Sequence, residues 1–241
     1  MRPSLTFIHG FMGHPSDWDE VRAALPEFQT TAVNILPSSD WQSSVRQLAD
    51  SIPDRSVVVG YSMGARLALG IALESQRVAG VVFVSGNPGL ETDAARDQRW
   101  EADQKIANQL EQLEPDSLKP FLEQWYQADV FASLPLEIRR EQIARKREFL
   151  SPDWPKILRT HSVSRQPNYW PSLKQLSIPT AVVAGELDEK YREIAVRFAG
   201  EARSDLVSKT IVTNSGHIVH REQPDALVQT IRDLVEKNGV R

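Results

Sequence analysis

Short apolar runs rich in β-branched residues recur along the chain and alternate with stretches whose apolar positions fall at helical spacing. The runs predict strands at residues 5–9, 31–36, 56–60, 78–84, 180–185 and 209–212. Val57-Val58-Val59 and Val81-Val82-Phe83-Val84 do not alternate with polar residues. A strand apolar on both faces is buried on both, which is the habit of a parallel sheet covered by helices. Between the runs, Ser16 or Asp17 is placed to cap a helix through Val21 and Leu25, and Ser39 or Asp40 one through Val45, Leu48 and Ile52. Pro224 opens a last helix with Leu227, Ile231 and Leu234 on one face and Gly239 to end it. This order predicts a doubly wound α/β fold with a mostly parallel central sheet. Residues 91–172 differ: they contain no strand pattern, are punctuated by prolines, and hold Trp100, Trp125, Trp154 and Trp170. They are expected to form a helical cap, or lid, inserted between two halves, 1–90 and 173–241, of one α/β core.

Composition narrows the class without changing that picture. The chain has 241 residues, 41% apolar and 25% charged, as an ordinary globular protein does. It has no cysteine, which excludes disulfides, thiolate metal sites and a cysteine nucleophile. Its 28 basic and 32 acidic side chains give a net charge of −4, which speaks against a nucleic-acid partner. Nothing approaches the roughly 18 consecutive apolar residues of a membrane span, and no secretory leader is evident, so a cytoplasmic location without membrane association is expected.

The chemistry concentrates around Gly60-Tyr61-Ser62-Met63-Gly64, which follows a predicted buried strand and precedes the helical stretch from Ala65 to Leu73. Strand, G-x-S-x-G, helix is the nucleophile elbow of α/β hydrolases: small residues must flank a sharply turned serine held at a helix N-terminus. A serine needs a base. His217 lies in a loop between the last predicted strand and the last helix, and Asp188, with Glu186 as the alternative, follows the preceding strand. The order Ser62, Asp188, His217 matches the triad order of that fold. The bland alternative makes His217 a loop histidine and Asp188 a helix cap. The backbone N–H groups of Phe11 and Met63 are the candidate oxyanion pair, with His9 ordering the loop beside them. Arg66 stands four residues after Ser62, so both share a helical face and the guanidinium leans back toward the serine. It is either a grip for an anionic substrate or half of an internal salt bridge.

With these residues in view, the chain resembles the 2-succinyl-6-hydroxy-2,4-cyclohexadiene-1-carboxylate synthases, pyruvate-eliminating lyases of menaquinone and phylloquinone biosynthesis within the α/β-hydrolase superfamily. The likeness runs through His9-Gly10-Phe11-Met12-Gly13 with Trp18, the elbow with Arg66, Asn87-Pro88-Gly89-Leu90 and Arg96 with Arg99. It continues through Trp125-Tyr126-Gln127-Ala128-Asp129-Val130-Phe131, Gly185-Glu186-Leu187-Asp188-Glu189-Lys190-Tyr191 and Gly216-His217-Ile218-Val219-His220-Arg221-Glu222. It implies an α/β-hydrolase fold, a Ser62–Asp188–His217 triad, carboxylate-binding Arg66 and Arg99, and cap aromatics Trp125, Tyr126 and Phe131. A third cap arginine of the family falls on Lys146, within Arg145-Lys146-Arg147, which keeps the charge without the bidentate fork. Which of those three side chains faces the site stays open. The Gly-His-Gly that follows the family's second-strand Leu-Pro is replaced here by Ser38-Ser39-Asp40.

The resemblance further implies a small-molecule polycarboxylate substrate, no metal or organic cofactor, and a monomer or weak homo-oligomer. Two other readings share the triad: a serine hydrolase for esters or carbon–carbon bonds, and a non-catalytic small-molecule-binding protein of the same fold. Arg66, Arg99 and the cap motif discriminate, because a hydrolase of neutral esters has no use for them. The cap as a whole, with 12 basic and 14 acidic residues, is not basic, so an anion grip there depends on position rather than on net charge.

Overall fold

The structure, a computed structural model, describes residues 4–203 and 205–237. Six strands form one wholly parallel sheet: β1 (Ser4–Ile8), β2 (Gln29–Val33), β3 (Ser56–Tyr61), β4 (Val78–Val84), β5 (Thr180–Gly185) and β6 (Val207–Val212), in spatial order β2-β1-β3-β4-β5-β6. The chain starts inside the sheet, steps outward to β2, and returns to lay β3 on the other side of β1. The strand order therefore reverses between β1 and β3, and a crevice opens there beyond the carboxyl ends of the strands.

The helices on the sheet are α1 (Asp19–Ala23), α2 (Trp41–Ser51) and α3 (Met63–Glu74). Four more, α4 (Asp93–Glu111), α5 (Leu118–Trp125), α6 (Leu136–Glu148) and α7 (Trp154–Thr160), lie between β4 and β5. The chain ends through α8 (Glu189–Glu201), α9 (Val219–Glu222) and α10 (Pro224–Lys237). Non-alternating strands cover both faces, as their patterning requires. Val58, Val81, Phe83 and Val182 pack with α2, α3 and α8. Val57, Val59, Val82 and Val183 face the other way, onto Trp18, Val21 and the α10 stripe Leu227, Ile231 and Leu234. Helix α3 is covered on every side, with Met63 to Ile71 all buried. The inserted helices have their own small core of Leu110, Leu118, Leu122 and Trp154, seated on Met12 of the loop after β1.

Local details depart from the sequence reading at several points. The second strand ends at Val33 rather than Leu36, because Ile35 N–H leaves the ladder to donate to His9 Nε2. The first helical segment starts as a 3-10 turn, Pro15–Trp18, capped by His14 rather than Ser16 or Asp17; His14 Nδ1 accepts from Ser16 N and Asp17 reaches back to the His14 N–H. The last strand begins at Val207, two residues before the apolar stretch that signalled it. Helix α2 is capped by Asp40, which accepts from Ser43 N at 2.7 Å. Gly239 lies outside the described residues.

Candidate active site

Ser62 sits at the end of β3 with φ 53° and ψ −108°, a left-handed conformation that costs a non-glycine residue on the order of 1–3 kcal/mol. The flanking glycines allow the turn. A Cβ on Gly60 would lie 2.4 Å from Gly64 O, and one on Gly64 would lie 2.2 Å from Ile8 O and 2.5 Å from His9 O. The elbow is thus pressed against the exit of β1, on the far side of the reversal point. That contact brings the Phe11 loop beside the serine. No hydrogen bond occupies the N–H of Phe11 or of Met63. Met63 opens α3, where the first N–H groups have no intrahelical acceptor. His9 orders the loop: its Nδ1–H donates to Gly10 O at 2.7 Å while Nε2 accepts from Ile35.

The three predicted triad residues converge. Asp188 Oδ2 accepts from His217 Nδ1 at 2.6 Å, and both side chains are buried. His217 Nε2 faces Ser62 Oγ at 3.4 Å, loose for a hydrogen bond, as catalytic pairs commonly are before substrate is held. Asp188 also caps α8 through its other oxygen, which accepts from Tyr191 N at 3.4 Å. Asp188 thus caps the helix with one oxygen and meets His217 with the other. Glu186 turns away to accept from Asn214 N. Rings of Tyr61, Phe131 and Tyr191 surround His217 at 5.4, 5.9 and 4.6 Å between centroids.

Two spaces open from Ser62 and His217. The front one is a cavity of about 510 Å³ between sheet and inserted helices; Met63, Arg66, Arg99, Lys190 and Tyr191 are among its walls, with Phe11, Trp125 and Phe131. Among the described residues no Asp or Glu lines it. Arg66 is 7% exposed, and its guanidinium donates to Gln166 Oε1 at 3.0 Å and to the His161 carbonyl at 2.8 Å, with the Trp41 ring 5.5 Å away. Among the described residues no carboxylate pairs with it, so the salt-bridge alternative has no acid to supply it. Burial, reinforced by nearby Arg99, pulls its pKa down to about 10. Arg99, on α4, is aimed by its Nε–H bond to buried Asp103 at 2.8 Å; Ser162 Oγ donates to the other Asp103 oxygen at 2.6 Å.

The rear space is a recess of about 60 Å³ lined by Asp17, Tyr61, Tyr126, Gln142, Lys146 and His220, besides Ser62 and His217. Lys146 is here, not in the front cavity, and its ammonium is bound to Asp17 Oδ2 at 3.1 Å. Arg145 holds the other oxygen of Asp17 at 3.2 Å, while Arg147 is exposed. Burial alone would raise the Asp17 carboxyl, but the Lys146 charge and the His14 N–H outweigh it and hold the group well below the usual range. Tyr126 also belongs to the recess, whereas Trp125 and Phe131 border both spaces. Burial drives the pKa of His220 down to about 3, so it is neutral, with its ring tilted against those of Trp18 and Tyr61 at 4.6 Å each.

The sequence reading singled out neither Lys190 nor Gln166. Lys190 stood inside a quoted motif, but nothing local marks which of many lysines reaches a cavity. Gln166 lies 100 positions from Arg66 and carries no signal. Among the described residues no group of His, Asp and Glu has the arrangement to hold a metal ion, and no helix is long and apolar enough to cross a membrane.

Comparison with known proteins places this geometry. The model of the alpha/beta hydrolase family matches residues 7–230. The chain belongs to that family. It is similar to the 2-succinyl-6-hydroxy-2,4-cyclohexadiene-1-carboxylate synthase of Serratia proteamaculans, 29% identical over 99% of this chain and 95% of that one. It is also similar to the synthase of the same name from Yersinia enterocolitica, 27% identical over 98% and 88%. The solved structure of MenH from S. aureus superposes with a TM-score of 0.88 at 24% identity, covering 99% of this chain and 95% of that one. The α/β-hydrolase fold with an inserted helical region, expected from the order of elements, is the fold observed.

Proposed function

We propose that this α/β hydrolase is a carbon–oxygen lyase of menaquinone or phylloquinone biosynthesis. In that reading it eliminates pyruvate from 2-succinyl-5-enolpyruvyl-6-hydroxy-3-cyclohexene-1-carboxylate, giving 2-succinyl-6-hydroxy-2,4-cyclohexadiene-1-carboxylate. The observation that carries the reading is Arg66. It is a buried guanidinium, one turn from the serine, held by neutral acceptors and facing a cavity lined with cations and no acids. A buried charge without a counter-charge is costly, and a substrate carboxylate supplies the missing partner bidentately. The similarity of the chain to the two named synthases supports the same substrate class.

The reaction asks for a base rather than an acyl acceptor. Ser62 Oγ, relieved of its proton by His217 Nε2, removes the acidic ring proton. Asp188 keeps the imidazole in the tautomer with Nδ1–H and stabilises it when it becomes charged. The C–H electron pair shifts through the ring and the C–O bond to the enolpyruvyl group breaks. The departing enolate takes a proton to become pyruvate, and no water is consumed. The Phe11 and Met63 N–H groups steady the negative charge developing at the succinyl carbonyl. Arg66 and Arg99 fix the carboxylates, and Trp125 and Phe131 keep water out.

A second reading, hydrolysis of a carboxylate-bearing ester or carbon–carbon bond, is favoured by the same elbow, since a strained serine beside two unoccupied N–H groups suits acyl transfer equally. Incubation with the enolpyruvyl precursor, following pyruvate, beside a p-nitrophenyl ester control separates the two. Pyruvate release that Ser62→Ala reduces by at least about a thousandfold is expected. Turnover of the ester alone, or substantial pyruvate release by Ser62→Ala, overturns the lyase assignment.

A further inference from the structure

Lys190 is the cavity cation that the proposed chemistry has not used. It lines the same space as Ser62, Arg66 and Arg99, and among the described residues no carboxylate forms an ion pair with it. It stands in the first turn of α8, where the helix dipole disfavours a cation and where the neighbouring Glu189 supplies the favourable sign. A local rule broken beside a cavity is the pattern expected of a residue kept for a ligand. Its backbone is firmly placed, because Asp188, two residues earlier, both caps α8 and holds His217. Its ammonium lies 5.7 Å from the centroid of Tyr191, whose ring is 4.6 Å from that of His217. Lys190 is exposed, so it belongs to the rim of the cavity, as the part-exposed Arg99 does, whereas Arg66 is at the floor. The two rim cations come from different parts of the molecule: Arg99 from the inserted helices and Lys190 from a helix on the sheet.

We propose that Lys190 is a third anion-binding arm, which makes the site select substrates bearing three carboxylates over those bearing two. The inference rests on the lyase reading, whose substrate carries a ring, a succinyl and an enolpyruvyl carboxylate, one for each of Arg66, Arg99 and Lys190. A trianion that engages both rim cations also joins the inserted helices to the sheet.

Binding of small probes tests the arm separately from the reaction. Tricarballylate and glutarate share a three-carbon-spaced pair of carboxylates and differ by the third. Calorimetric titration of the wild-type protein is expected to give about tenfold tighter binding of tricarballylate, the size of one charge-assisted contact at a half-exposed site. Lys190→Gln should reduce that preference below about threefold with little change for glutarate, and Lys190→Arg should restore it. With the enolpyruvyl precursor, Lys190→Gln should raise KM by more than it lowers kcat, which damage to the fold would not do selectively. An unchanged preference in Lys190→Gln, or no preference in the wild type, overturns the proposal. Absence of pyruvate release alongside an intact, Lys190-dependent tricarballylate preference would defeat the lyase reading and leave the third arm standing.

Discussion

The front cavity and the rear recess meet at Ser62 and His217, yet they treat positive charge in opposite ways. In the recess one carboxylate, Asp17, answers both Lys146 and Arg145, and all of the charge is used within the chain. In the cavity Arg66 is as deeply buried as Lys146, at 7% against 5% exposure, and has only an amide and a carbonyl as acceptors. Sign and burial are the same on the two sides; the difference is the acid. Lys146, with its charge answered by Asp17, holds the fold together. A cation held in place by neutral dipoles is positioned without being neutralised, and keeps its charge for a ligand.

The largest way to break this contrast is from the rear. Asp17→Ala strands two cations, one of them fully enclosed, and should cost about 3–5 kcal/mol, lowering Tm by on the order of 10 °C in calorimetry. Adding Lys146→Met should recover much of that loss, because the stranded charge goes with it. A Tm unchanged by Asp17→Ala would mean that the recess ion pairs carry no structural weight. The next effect lies at the front. Arg66→Ala should lower kcat/KM for the enolpyruvyl precursor by more than about tenfold, matching about 1.5–3 kcal/mol for a charge-assisted contact. Gln166→Glu sharpens the point by giving Arg66 the carboxylate that its side lacks. It should weaken substrate binding in the same direction, and tighter binding would erase the distinction drawn here.

The smallest effect is in pH. The folded state holds His220 neutral down to about pH 3 and His161 down to about 4, both chiefly through burial, against an ordinary value of 6.5. Above 6.5 both states are neutral and nothing is gained or lost. Below it the unfolded chain takes up protons that the folded chain refuses. Stability therefore falls on acidification toward those lower values, by up to about 1.4 kcal/mol per pH unit for each histidine. His220→Phe keeps the ring packing on Trp18 and Tyr61 and should make the decline of Tm between pH 6 and 4 shallower. An unaltered slope would remove His220 from the set of buried neutral bases.

Much of this organisation is legible in the chain. Non-alternating valines announce strands covered on both faces, and Gly60 and Gly64 around Ser62 announce an elbow, because each signal is local and has one physical cause. The order of Ser62, Asp188 and His217 follows from where strands end. What is not legible is the partnership of charges. Lys146 and Lys190 each stand in charged helical sequence, and only tertiary placement puts the first on Asp17, 129 positions away, and the second on a cavity without acids. The Leu36 end expected for the second strand misleads for a related reason. The apolar Ile35 and Leu36 extend the pattern, but His9 recruits the backbone of Ile35 out of the ladder.

The contact between Gly64 and the carbonyls of Ile8 and His9 is main chain against main chain, with no side chain between them. The spacing between the serine and the loop that would receive a developing oxyanion is therefore set by peptide geometry alone. Packing side chains can be exchanged in either layer without a lever that reaches this junction. The reactive frame is insulated from turnover of the interior, and a chain of this architecture can drift far in sequence while its serine stays aimed at the same loop.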